Sequence, residues 1–347
     1  PTQQPSTSNN EEYIIYRTMA GDLGADTKAL VFGSAAIGFA PFICFFFQIV
    51  FPKPQLLIVS ITAAFFYLLA ASAASVCWYI VDPVIGLGGP WAAIVPGVFF
   101  QFIFRALFAH SYFKVETVIE ASIAKSEEDR EDGDENEGED SGAGIQAAKN
   151  RLALNDVACG LAAGVGFGGM HAILLFGSLL ASETFDSGVL YQPSCPKVPS
   201  LTVSSLNTFC FFFLDVFWML FTFFGIRRRF LFPRGGGALS DINPLSRPFG
   251  SYFGNTRMGG NNALLVCLIT HVLAAGFTTF NAFQFGCVFS MTLLPLVTLI
   301  VAYLYWSGIS NIYLPLAHSN VRLSLPASFS YGSHVAEGVL GANQDDE

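Results

Sequence analysis

The stretch DVACGLAAGVGFGGMHAILLFGSLLA, residues 156–181, decides the fold. Apart from Asp156, His171 and Ser178, every residue in it is small or apolar. A helix needs about 20 such residues to cross the roughly 30 Å of bilayer hydrocarbon, so this segment is a membrane span. Gly160, Gly164 and Gly168 stand four apart within it and leave one helix face without side chains for nearly three turns. Two overlapping GxxxG units let another backbone approach closely, which in lipid replaces the hydrophobic drive that joins helices in water. The stripe therefore predicts a docking groove for a partner helix, supplied by this chain or by another subunit.

The rest of the chain is of the same kind. Hydrophobic residues make up 52% of it, charged residues only 12%, and the mean hydropathy is +0.51, values that exclude an ordinary soluble globule. Seven runs are long and apolar enough to span: 29–50, 56–81, 90–113, 156–181, 206–226, 263–283 and 287–308. The predicted fold class is an all-α integral membrane protein, a seven-transmembrane helix bundle with no internal repeat. It divides into a flexible polar tail (1–28), a membrane domain (29–308) and a C-terminal tail (309–347). The membrane domain includes an acidic loop at 120–150 and a Gly- and Arg-rich loop at 227–262. Residues 1–28 contain no apolar core of a cleavable signal, so the first span is expected to direct insertion itself.

Lys and Arg counts set the orientation. An outside N-terminus leaves thirteen basic residues in cytoplasmic segments, Arg227, Arg228 and Arg229 among them, against Arg17, Lys28 and Lys197 outside. The N-terminus is thus predicted outside or lumenal and the C-terminus cytoplasmic. Arg105, inside the third run, is expected to snorkel to the cytoplasmic surface. The net charge of −9 is largely a local property of residues 127–140, which hold ten carboxylates and one arginine. Such a block repels itself and stays solvated, which favours disorder over a polyacidic interaction tail. The seven cysteines are scattered and suggest no disulfide framework. Cys195 has a conceivable partner in Cys287, but free or buried thiols are expected. No N-x-S/T acceptor for a glycan is present.

Polar groups within lipid are the places to look for chemistry. The sequence contains no HExxH, no GxSG and no GxGD motif. Asp215 is the one carboxylate deep in a span, and aspartyl hydrolysis needs two carboxylates that share a proton. Asp156 reads as a helix N-terminal residue. The histidines and cysteines lie too far apart for a metal site. At 1.5 Å per residue, His171, Asp215 and His271 lie about 15, 14 and 18 Å from the outer ends of their runs, so they can meet at one level. A direct Asp215–His271 contact is predicted, with His171 as an additional polar contact. An interhelical hydrogen bond that fixes register is the favoured reading of the pair, ahead of a proton relay or catalytic group.

The same residues resemble the Aph-1 family, a subunit of the gamma-secretase complex. The glycine stripe in the fourth of seven spans looks like its signature. Phe39-Ala-Pro41, Ser75-Val-Cys-Trp78-Tyr-Ile, Gln101-Phe-Ile-Phe-Arg105, Phe217-Trp218, Arg227-Arg228-Arg229 and the run from Thr270 to Asn281 follow in the same order as in the family. The match runs from Ala29 to Gly308. The family usually has a histidine in both the fifth and sixth spans; here Asp215 stands in the first of those places and His271 in the second. The resemblance implies a divergent, non-catalytic scaffold that needs no cofactor. Its implied partners are a presenilin-like catalytic subunit, nicastrin-like and Pen-2-like subunits and membrane lipids, with no nucleic acid. The complex would process type I membrane proteins in endoplasmic reticulum, Golgi, endosomal and plasma membranes. The alternative is a seven-span receptor or transporter with a polar site around His171, Asp215 and His271.

Overall fold

The computed structural model describes residues 24–85, 90–131, 156–185, 191–192, 194–231, 252–254 and 256–309. Seven helices within them are long and apolar enough to cross a membrane: Lys28–Val50, Pro54–Ile80, Ile94–Ile119, Asp156–Ala181, Ser200–Phe230, Arg257–Ala282 and Cys287–Ile309. They are called the first to seventh spans below. Their existence follows from composition, but several ends lie elsewhere than hydropathy places them. The third helix runs on to Glu131 and takes in the first residues of the acidic block. The fifth begins at Ser200 and ends at Leu231, beyond the arginine triplet. The remainder of the acidic block, nearly all of the two tails and most of the Gly- and Arg-rich loop lie outside the described residues.

Burial separates the spans into a hub and a shell. In the fourth and fifth spans 72% and 78% of the most apolar stretch is buried, against 17% in the first and 28% in the seventh. The fourth packs on the second and fifth, the second on the third, the first and sixth on the fifth, and the seventh on the fifth and sixth. Two apolar cores result. One joins Tyr67, Phe108, Phe113, Phe167, Val216 and Phe223; the other joins Trp218, Phe221, Phe224, Cys267 and Leu294 of the fifth, sixth and seventh spans with Phe253, which precedes the sixth.

The glycine stripe explains why the fourth span can occupy the hub. A Cβ at Gly164 would lie 2.7 Å from the Val216 Cα, and one at Gly168 would meet Phe212 and Asp215 at 3.1–3.2 Å. Gly160 faces Leu220 and Phe223 in the same way. The groove is therefore filled by the fifth span of this same chain, which meets it with Phe212, Val216 and Leu220 at the matching spacing of four. Gly166, on another face, lets the carbonyl of Ser60 approach so closely that a Cβ would sit 2.0 Å from its oxygen. Glycine at these points is needed for close approach of two neighbouring helices at once.

At one end of the bundle, a short antiparallel pair forms from β1 (Tyr191–Gln192) and β2 (Cys195–Pro199), directly before the fifth span. Cys195 is disulfide-bonded to Cys287 at the start of the seventh span, which corrects the expectation of free thiols. A loop cysteine and a span-edge cysteine 92 residues away come together because the fifth and seventh spans are neighbours. At the opposite end, Arg227 in the fifth span donates from Nε to Asp156 (2.9 Å) and lies 2.7 Å from Glu116, which ties the third, fourth and fifth spans together. Asp156 is thus both the first residue of its helix and an ion-pair partner.

Candidate functional site

The polar centre of the bundle is built around Arg105, a residue expected at the surface. Arg105 and Asp215 are both fully buried and form a salt bridge through Nη2 and Oδ1. The other carboxylate oxygen of Asp215 accepts a hydrogen bond from Nδ1 of His171 at 2.6 Å. Nη1 of Arg105 donates to Nδ1 of His271 at 3.2 Å. The predicted direct Asp215–His271 contact is therefore corrected to a chain, His171–Asp215–Arg105–His271, spanning the third, fourth, fifth and sixth helices. Arginine separates the predicted pair.

Position along the helix accounts for the difference. Arg105 lies about 17 Å from the described start of its span at Ile94 and about 21 Å from its end at Ile119, too deep for its side chain to reach water at either surface. An unpaired charge at that depth is costly, and opposite charges on neighbouring helices relieve one another. One buried acid calls for one buried base, and the sequence holds a single candidate of each kind in mid-span. That neutrality was the available signal.

Donor chemistry fixes the protons. Arginine has donors only, so His271 Nδ1 accepts and its own proton sits on Nε2. Asp215, paired to a guanidinium, is the acceptor for Nδ1–H of His171. Aromatic rings close the sides: Arg105 lies over Phe167 at 4.3 Å and over Trp218 at 5.0 Å, Tyr67 stacks on His171 at 5.1 Å, and Trp218 packs on His271 at 4.2 Å. Trp218 itself is held by a 2.8 Å bond from its indole N–H to Thr270. The guanidinium is stabilised by ring faces as well as by the carboxylate.

On the side of the disulfide, the cluster borders a cavity of about 400 Å³. Gln101, His171, Asn207, Thr208 and His271 contribute its polar wall, and Phe176 and Phe211 part of its apolar wall. Just after His171 the fourth helix makes a π-helical turn over Ile173–Gly177, which turns Phe176 inward against Phe39. Among the described residues no group of three or more His, Cys, Asp or Glu side chains is placed to hold a metal ion. Chemically, the cluster is a compensated ion pair flanked by two imidazoles, one side of which meets a largely apolar cavity with a few polar groups on its wall. Of the glycine stripe only Gly168 borders the cluster, where a Cβ would lie 3.1 Å from that of Asp215; Gly160 and Gly164 face Leu220, Phe223, Val216 and Met219 farther along the fifth span.

Comparison with known proteins agrees with this architecture in extent. The sequence pattern of the family described as Aph-1 protein matches residues 29–310, which takes in all seven spans. The chain is 25% identical over 202 residues to the "Gamma-secretase subunit APH1-like" of Arabidopsis thaliana, an alignment that covers 57% of this chain and 72% of the relative. With seven membrane-length helices arranged around a glycine-striped fourth span, and a family match along all of them, this chain belongs to the Aph-1 family.

Proposed function

We propose that the protein is a non-catalytic scaffold subunit of a gamma-secretase-like intramembrane protease complex. The observation that carries this reading is the engagement of Asp215. The one deep carboxylate is bound to Arg105 and His171 on opposite oxygens, so it has no second carboxylate with which to share a proton. The charge chain instead ties the two hub helices to the third and sixth spans. A presenilin-like subunit would supply the catalytic aspartates, with nicastrin-like and Pen-2-like subunits completing the assembly, and type I membrane proteins as substrates. Endoplasmic reticulum, Golgi, endosomal and plasma membranes are the proposed locations.

The proposed orientation has the N-terminus lumenal or outside and the C-terminus cytoplasmic. Two independent features support it. Basic residues concentrate at the end that carries Arg227, Arg228 and Arg229, as cytoplasmic loops do. The Cys195–Cys287 disulfide lies at the other end, which fits an oxidising lumen.

Purification of the tagged full-length chain in mild detergent tests the reading. Stoichiometric recovery of a presenilin-like subunit is the expected result. A monodisperse protein without partners that binds a small solute would overturn it. The cavity beside His171 and His271 is the feature that favours that second reading, a receptor or transporter pocket. Asp215→Asn separates the two further: a scaffold loses assembly along with activity, whereas intact assembly with abolished function would assign Asp215 a chemical role.

A further inference from the structure

The three consecutive arginines at the end of the fifth span have different surroundings. Arg227 is paired with Asp156 and Glu116. Arg228 is buried and lies 4.6 Å over the Phe224 ring. Arg229 is exposed and borders a cleft of about 510 Å³ between the third, fifth and sixth spans, together with Arg257 at the start of the sixth. Among the described residues neither Arg229 nor Arg257 has a carboxylate partner. The positive end of the sixth helix, a 22-residue helix, adds to the field at Arg257.

Below this cationic rim the cleft is apolar. Phe102, Leu107, Ile226 and Phe230 line it, and His110 stacks on the Phe230 ring at 5.1 Å and holds that wall in place. From Phe102 to His110 the helix rises about 12 Å, so the cleft continues well into the hydrocarbon from its charged mouth. Leu107 is 46% exposed, so the cleft opens sideways toward lipid. Two cations over an apolar slot match a molecule with an anionic head and a hydrocarbon tail.

We propose that this cleft is a binding site for an anionic glycerophospholipid, its phosphate or carboxylate held between Arg229 and Arg257 and one acyl chain lying along Phe102, Leu107 and Phe230. Basic pockets between membrane helices select such headgroups. The chain's own acidic block is the competing occupant, since it follows the third span at the same end. It has charge for the arginines but nothing to place against the apolar walls. Assigning the lipid to the cytoplasmic leaflet rests on the proposed orientation; the chemistry of the cleft does not.

Native mass spectrometry of the full-length protein in detergent, titrated with phosphatidylserine or phosphatidylcholine of the same acyl chains, tests the site. Phosphatidylserine is expected to bind roughly 30-fold more tightly, the selectivity of two interfacial arginines. Arg229→Gln with Arg257→Gln should erase that preference, and the doubly Lys-substituted variant should keep most of it. Leu107→Trp, at a position 46% exposed, should weaken binding with both arginines intact, which keeps the test valid if the Gln variant misfolds. Equal affinity for the two lipids would overturn the proposal, as would a preference that survives in the Gln variant. Displacement by inorganic phosphate at a concentration no higher than that of the lipid would show that the apolar walls contribute nothing and also overturn it. Phosphatidylserine binding that appears only after deletion of residues 132–150 would assign the cleft to the acidic block instead.

Discussion

Removal of Arg105 would leave Asp215 at the centre of the bundle with only His171 beside it. Breaking one half of a buried ion pair strands the other charge, and the cost is about 3–5 kcal/mol. Arg105→Leu and Asp215→Leu should each lower the free energy of unfolding in detergent by that scale. The double variant, which removes both charges, should be less damaged than the two single losses added together. Additive losses in the thermal unfolding series would mean that the pair is not coupled. His271 bears on the same point. It reads in the sequence as the partner of Asp215, yet its hydrogen bond goes to the guanidinium, because an Nδ1 acceptor suits a cation that still has donors to place.

At the scale of elements, two features fix how the helices meet. The glycine stripe brings the fourth span onto the fifth with no side chain of its own between them, and the fourth span simultaneously meets the second at Gly166. Gly164→Leu forces atoms into the Val216 backbone, which cannot rotate away. A loss of more than about 3 kcal/mol, or failure to accumulate, is expected. Gly33→Ala in the lipid-facing first span meets nothing within 4 Å and should be neutral or stabilising by at most about 1 kcal/mol. Expression level and thermal stability of the two variants, compared side by side, check the contrast. The second feature is the Arg227 clasp. Its partly exposed position screens it, so Arg227→Ala is expected to cost only about 1 kcal/mol, with a smaller effect at high salt than at low salt in denaturation measurements.

For the molecule as a whole, the disulfide gives a test of both fold and orientation. Cys195 and Cys287 enclose 92 residues of sequence separation, so Cys195→Ser should destabilise the protein. The chain-entropy limit is about 4.6 kcal/mol, reduced here because helices already inserted in a bilayer restrict the unfolded chain. Non-reducing electrophoresis should show a mobility difference that reduction abolishes. With sealed microsomes, an impermeant maleimide applied after reduction should label these two cysteines only once the membrane is opened. Labelling in intact microsomes would reverse the proposed orientation.

Sequence composition alone determined the class of this molecule, the number of its spans and the glycine face, because crossing lipid requires long apolar helices whatever their neighbours are. Asp215, His171 and His271 were legible as one polar level, since depth follows from counting residues. What tertiary structure decided was pairing. Which helix fills the glycine stripe, which thiol meets Cys195 and which base neutralises Asp215 all depend on the order of helices around the fifth span. Hydropathy carries no information about rotation or neighbour. Arg105 was misplaced for that reason: its side chain reads as surface-seeking until a carboxylate on an adjacent helix removes the cost of burying it.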